Sequence, residues 1–301
     1  MADPLPSLRM RCACGVHRRA FGLALLAGAA APPVWARGGV SVGEQSRFSK
    51  LVPADQVEQA AIQQYGQLLA QARQQGALAP PEHPQVVRLR AIAQRIIPFT
   101  AQWNPRSRQW RWEVNLLGGK QINAFCMPGG KIAFFIGILD KLKLSDDEVA
   151  MVMGHEMAHA LREHARERMG KSTATNIGAN VLSSLLGLGG IGNAVLGAST
   201  QLLSLTWSRD DETEADTVGL DLAARAGYDP RAGVTLWNKM AEVGKGANKS
   251  APPQWLSTHP SGPSRIREIE ANLPRVPPLY ARAPKPDRHF GPPQPATASA
   301  R

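Results

Sequence analysis

Apolar positions recur along the chain with two different periods. Between Ala54 and Gln75, Val57, Ala61, Tyr65, Leu68, Leu69 and Ala72 share one face of a 3.6-residue helix, and Gly76 with the prolines at 80, 81 and 84 ends it. Val86, Leu89, Ala93, Ile96 and Ile97 predict a second helix, which Pro98 stops. The period then changes to two. Trp110, Trp112, Val114 and Leu116 alternate with polar residues and predict a strand, with Gly118-Gly119 as a turn. Gln121–Phe125 and Lys131–Ile136, split by Pro128-Gly129-Gly130, predict two more strands and hence a small antiparallel sheet. Ser145-Asp146-Asp147-Glu148 has the form of a capping box and predicts a helix from Asp146 to about Met169, closed by Gly170. Further helices are expected from about Arg209 to Ala226, after Asp229-Pro230 (burying Val234, Trp237, Met240 and Val243), and from Pro263 to Leu273. The class is α+β, predominantly helical, over residues 54–273. Residues 37–53 read as a linker, and 274–301, with 8 prolines in 28 residues, as a disordered tail.

Two stretches follow neither period. A basic segment from Arg9 to Arg19 precedes an uncharged apolar run from Ala20 to Ala31, then Pro32-Pro33 and Val34-Trp35-Ala36. This is the pattern of a cleavable signal peptide over residues 1–36, too short to span a bilayer. Arg18-Arg19-Ala20-Phe21 fits a twin-arginine signal as well as an ordinary one. Either predicts export to the periplasm. The second stretch, Ser172 to Ser208, has no charged residue, yet it holds 6 glycines and 14 Ser, Thr, Asn or Gln. Its longest apolar-or-glycine run is 8 residues, against roughly 18 for a spanning helix. A helical hairpin turning at Gly189-Gly190, or a cover, fits it better than a membrane anchor.

Composition narrows the class further. With 43% hydrophobic and 20% charged residues the chain is neither collagenous, coiled-coil nor wholly disordered. The net charge of +11 is scattered, with no basic run interleaved with aromatics, which argues against a nucleic-acid partner. A diffuse basic surface suits peripheral contact with anionic membranes or with acidic partners. Cys12 and Cys14 belong to the removed segment, which leaves Cys126, between Phe125 and Met127, as a core residue with no internal disulfide partner.

The chemistry is concentrated in the capped helix. In His155-Glu156-Met157-Ala158-His159 the two histidines are only about 40° out of line and about 6 Å apart along the axis. Both imidazoles can thus face one tetrahedral zinc, with Glu156 beside the metal to take a proton from bound water. Such a motif arises by accident in about one chain in a hundred of this length. The largely apolar flanks (Val149, Met151, Val152, Met157, Ala158, Leu161) favour a pocket over an exposed helix. A hydrolytic zinc wants a third protein ligand. His164, nine residues past His155, turns to the opposite face of a continuous helix and is expected to be structural. Asp211-Glu212-Thr213-Glu214-Ala215-Asp216 is the better source. Glu212 and Asp216 share a face, so one can bind metal while the other orients a histidine. Glu214, about 200° round, is expected to be solvated. His83 and His289 sit in proline-rich loops and carry no assignment.

These residues resemble the HtpX, Oma and CAAX-processing family of zinc metalloendopeptidases. The resemblance rests on His155-Glu156-x-x-His159 and on Ser208-Arg209 … Glu212-x-x-Ala215-Asp216. Asn123-Ala124-Phe125 … Pro128-Gly129-Gly130 and Ser257-Thr258-His259-Pro260 … Arg265-Ile266 are similar too, in the family's order. Without the several membrane helices of other members, the chain looks most like the soluble, exported bacterial branch. The resemblance implies a zincin-like (gluzincin) catalytic domain with its small sheet beside the HExxH helix. It implies one zinc ion per chain on His155, His159 and Glu212, with Glu156 as general base and Asp216 and Arg265 supporting the ligands. Asn123 and Ala124 would lie on an edge strand that pairs with an extended substrate. His259 would either cap the metal and repress the enzyme or, swung aside, donate to the oxyanion. The implied activity is endopeptidase cleavage of unfolded or misassembled envelope proteins, with outer-membrane or envelope assembly proteins as partners. The alternatives are a His-capped protease serving mainly as a chaperone or scaffold, and a membrane-anchored protease.

Overall fold

The computed structural model describes residues 38–174, 205–246, 254–259 and 263–293. The expected signal peptide, the Gly189-Gly190 hairpin and the end of the tail lie outside the described residues. Within them the order is α1 (Ala54–Gln74), α2 (Pro84–Ile96), β1 (Glu113–Leu117), β2 (Ala124–Met127), β3 (Lys131–Phe135) and α3 (Ile136–Leu142). There follow α4 (Asp146–Leu161), α5 (His164–Ala174), α6 (Arg209–Arg225), α7 (Ala232–Gly246), α8 (Gln254–Thr258), α9 (Pro263–Asn272) and α10 (Pro277–Arg282).

The sheet is mixed, not antiparallel as expected. β3 is central, antiparallel to β2 and parallel to β1. Gly129 and Gly130, both at positive φ, make a tight β2–β3 hairpin. The chain leaving β1 instead crosses to the far edge, so β1 flanks β3 from the other side. Trp110 and Trp112 precede β1 rather than join it. Their indole N–H groups donate to Glu58 and to the Ser107 carbonyl.

Both faces of the sheet are buried. Val114, Leu116, Ala124, Cys126, Ile132 and Phe134 face the main core with α2, α4 and α6. Leu117, Phe125, Met127 and Ala133 face Ala61, Tyr65, Leu69 and Ala72 of α1. Alternation along each strand thus separates two apolar layers instead of core from solvent. Cys126 is a core residue as expected, and burial pushes its thiol well above the ordinary range.

Ser145 and Glu148 form the expected capping box at the start of α4. The helix does not continue to Met169. Arg162 closes it, Glu163 takes a left-handed φ of 61°, and the chain restarts as α5 at His164. A second capping box, Ser208 with Asp211, starts α6. α4 and α6 cross at Gly154 and Gly219 with their backbones in close approach, which brings His155 opposite the first turns of α6.

Residues expected to be a linker or a tail are partly packed. A 3₁₀ turn, Arg47–Leu51, lies on α5, and Val40 and Val52 are buried. A 3₁₀ turn, Leu273–Arg275, packs on α9, and α10 packs on α6, with Val276 fully buried. The prolines here start helices rather than prevent them, because Pro at a first helical position gives up no needed N–H.

Candidate metal centre

Three helices deliver four buried side chains to one point. His155 and His159 come from α4, Glu212 from the first turn of α6, and His259 from the end of α8. Their nearest donor atoms all lie within 4.8 Å of one another. His155 Nε2 is 3.1 Å from His159 Nε2; Glu212 Oε2 stands 3.7 Å from the former and Oε1 3.4 Å from the latter. His259 Nδ1 is 3.2 Å from His155 Nε2 and 2.9 Å from Glu212 Oε1. Around a tetrahedral ion with bonds of about 2.0–2.1 Å, donors are about 3.3 Å apart. The observed separations, 2.9–3.7 Å over both Glu212 oxygens, bracket that value, and imidazole with carboxylate is a donor set suited to zinc.

Electrostatics prepare the same atoms. Burial holds His159 well below the ordinary imidazole value, which keeps a lone pair free. For Glu212 burial acts upward, but the charge of His259 and its hydrogen bond hold the carboxyl far below the usual range. The Arg265 guanidinium also contacts Glu212. Asp216 is likewise kept low against burial, chiefly by Arg265 and then by His155.

Each histidine of α4 is held from behind. His155 Nδ1 lies 3.0 Å from Asp216 Oδ1, and Arg265 grips both Asp216 oxygens at 2.7 and 2.8 Å. Arg265 in turn lies over the Trp237 ring, 3.6 Å from its centroid. His159 Nδ1 lies 2.9 Å from His164 Nδ1, and its ring stacks on Trp207 at 4.5 Å. His164 is therefore not turned away. The break at Glu163 swings it back beneath His159. Glu214 is not solvated either; it meets His164 at 3.0 Å and Arg162 at 2.6 Å.

Glu156 sits beside the donors, its Oε1 accepting from the Trp255 indole N–H at 2.7 Å. One short helix joins these parts. The His259 N–H donates to the Trp255 carbonyl, the Trp255 N–H to the Ile122 carbonyl, and the Trp207 N–H to the Thr258 carbonyl. A cleft of about 730 Å³, including open solvent, runs from Glu156, His159 and His259 along β2. β2 is an edge strand. Asn123 lines the cleft, but its carbonyl accepts from Phe135 N on the β3 side. By antiparallel alternation, the backbone groups of Ala124 and Cys126 are the ones that face away from β3.

All nine residues singled out from the sequence thus lie at this centre or its cleft. Trp207, Trp237, Trp255, Arg162 and the role of His164 were not foreseen. Only Trp255 left a signal, its four-residue spacing from His259. His83 caps α2 and His289 lies near Asp146, both elsewhere.

Fold and centre together define a helix-rich domain with a buried His/Glu group able to hold a metal ion. The chain belongs to peptidase family M48, whose model matches residues 85–273. It is similar to the mitochondrial metalloendopeptidase OMA1 of Saccharomyces cerevisiae, at 30% identity over 217 residues, 69% of this chain and 62% of that one. OMA1 of Arabidopsis thaliana is 42% identical over 163 residues, 54% and 32% of the two chains. A putative beta-barrel assembly-enhancing protease of Vibrio cholerae is 32% identical over 184 residues, 58% and 37%. The match spans less than two thirds of the length of each of these relatives.

Proposed function

We propose that the protein is an exported zinc endopeptidase that cleaves unfolded or misassembled envelope proteins. The observation that carries this is the convergence of His155, His159 and Glu212 donors at tetrahedral spacing with Glu156 alongside. Bound zinc supplies an acidified water, with pKa lowered to about 7, and polarises the scissile carbonyl. Glu156 takes the proton of the attacking water and passes it to the leaving amine. The Trp255 indole N–H, donating to Oε1 of Glu156, holds this carboxylate beside the donors. Outward backbone groups of Ala124 and Cys126 bind extended chain, which selects for unfolded substrates. Likeness to a relative named for beta-barrel assembly supports an envelope setting. Zinc analysis with casein digestion by wild type and Glu156→Gln tests the reading. One zinc in both and cleavage by wild type alone is expected; equal cleavage would contradict it.

A second reading is favoured by His259, whose Nδ1 stands at the fourth vertex. In this form the protease is repressed and acts mainly by binding. His259→Ala should then raise proteolysis, and unchanged activity would remove the idea. As for a membrane anchor, no helix among the described residues is long and apolar enough to cross a membrane. Release of the mature protein by carbonate washing would remove that reading.

A further inference from the structure

We infer that His164 is a positioning residue that fixes the tautomer and aim of His159 through a His159–His164–Glu214–Arg162 relay. The inference rests on the zinc reading above and extends it to residues outside the donor set. His164 is 1% exposed and reaches His159 only because the helix breaks at Glu163.

The Glu214 end of the relay sets the proton placement along it. The Glu214 carboxylate can only accept, so His164 Nε2, 3.0 Å from Glu214 Oε2, carries a hydrogen. A neutral His164 then offers a lone pair at Nδ1, 2.9 Å from His159 Nδ1. His159 Nδ1 must therefore carry a hydrogen, which leaves Nε2, the atom facing His155 and Glu212, bare for a metal. Arg162, 2.6 Å from the other Glu214 oxygen, keeps that carboxylate in place. The two ligand histidines are thus backed unequally. His155 leans on a carboxylate, whereas His159 leans on a neutral imidazole and is the weaker donor of the pair.

Two variants separate positioning from bulk. His164→Phe keeps the ring and removes the acceptor. His164→Asn keeps an acceptor near Nδ1 and loses Glu214. Zinc affinity, measured by chelator competition, is expected to fall about 10–100-fold in His164→Phe and by distinctly less in His164→Asn, which keeps the acceptor but not the link to Glu214. The visible spectrum of the cobalt-substituted protein should shift in the Phe variant only. Equal affinity in Phe and wild type, or equal loss in both variants, would overturn the inference. Should the Phe variant not fold, ¹⁵N imidazole NMR of the zinc-loaded wild type decides. Nε2–H at His164 with Nδ1–H at His159 is expected, and Nδ1–H at His164 overturns it. A wild type that takes up no zinc would instead bring down the reading of the centre, and this inference with it.

Discussion

A methyl group added to Gly154 would stand 2.9 Å from the carbonyl oxygen of Gly219, and one added to Gly219 would stand 2.9 Å from the amide nitrogen of His155. The two helices that carry the centre therefore meet at the residue before the first histidine, where neither backbone leaves room for a side chain. Ala at either position must push α4 and α6 apart. Gly219→Ala is expected to cost about 1–3 kcal/mol of stability and to weaken zinc binding together with it. Urea unfolding and chelator competition check this; a stable variant with unchanged zinc affinity would separate the crossing from the centre.

The Trp255 indole N–H donates to Oε1 of Glu156. Trp255→Phe keeps an apolar ring and removes the donor. A charge-assisted hydrogen bond is worth about 1.5–3 kcal/mol, so kcat should fall roughly tenfold or more. KM and bound zinc should stay near wild type. A rise in KM alone would assign Trp255 to substrate binding.

Asp216 and Arg265 set an acid limit on the metal-free fold. The Asp216 carboxyl lies below its usual value in the folded chain, so its contribution to stability is present above the unfolded value of about 3.9. That contribution disappears as pH falls through the lower folded value. Removing one partner of a buried pair costs about 3–5 kcal/mol. Metal-free Asp216→Asn should therefore be less stable at pH 7, and the gap to wild type should shrink below pH 4. Urea midpoints from pH 7 to 3 check the sign; a gap that widens on acidification would contradict it.

Legibility in the sequence followed locality. The capping box at Ser145, the His155–His159 spacing and the Glu212–Asp216 pair are set within one or two helical turns, and each is where the spacing placed it. The order of the sheet was not legible, because strand alternation carries no information on which neighbour a strand pairs with. Nor was the break at Glu163, where apolar periodicity continues past a left-handed residue held by its surroundings. That one residue reversed the predicted placement of His164 and, with it, of Glu214. The tail misled for a related reason: proline content suggested disorder, yet Val276, fully buried, and the packing of α10 on α6 tie it down.

The central claim is that one divalent ion is held by two imidazoles of α4 and a carboxylate of α6. Anomalous diffraction at the zinc edge, on crystals of wild type and Glu212→Gln grown with zinc, tests it most directly. A single strong peak bonded to His155 Nε2, His159 Nε2 and Glu212 is expected in wild type, and a weakened or absent one in the variant. A wild-type map without a peak there, or one in which Glu212 is turned away from the ion, would contradict it.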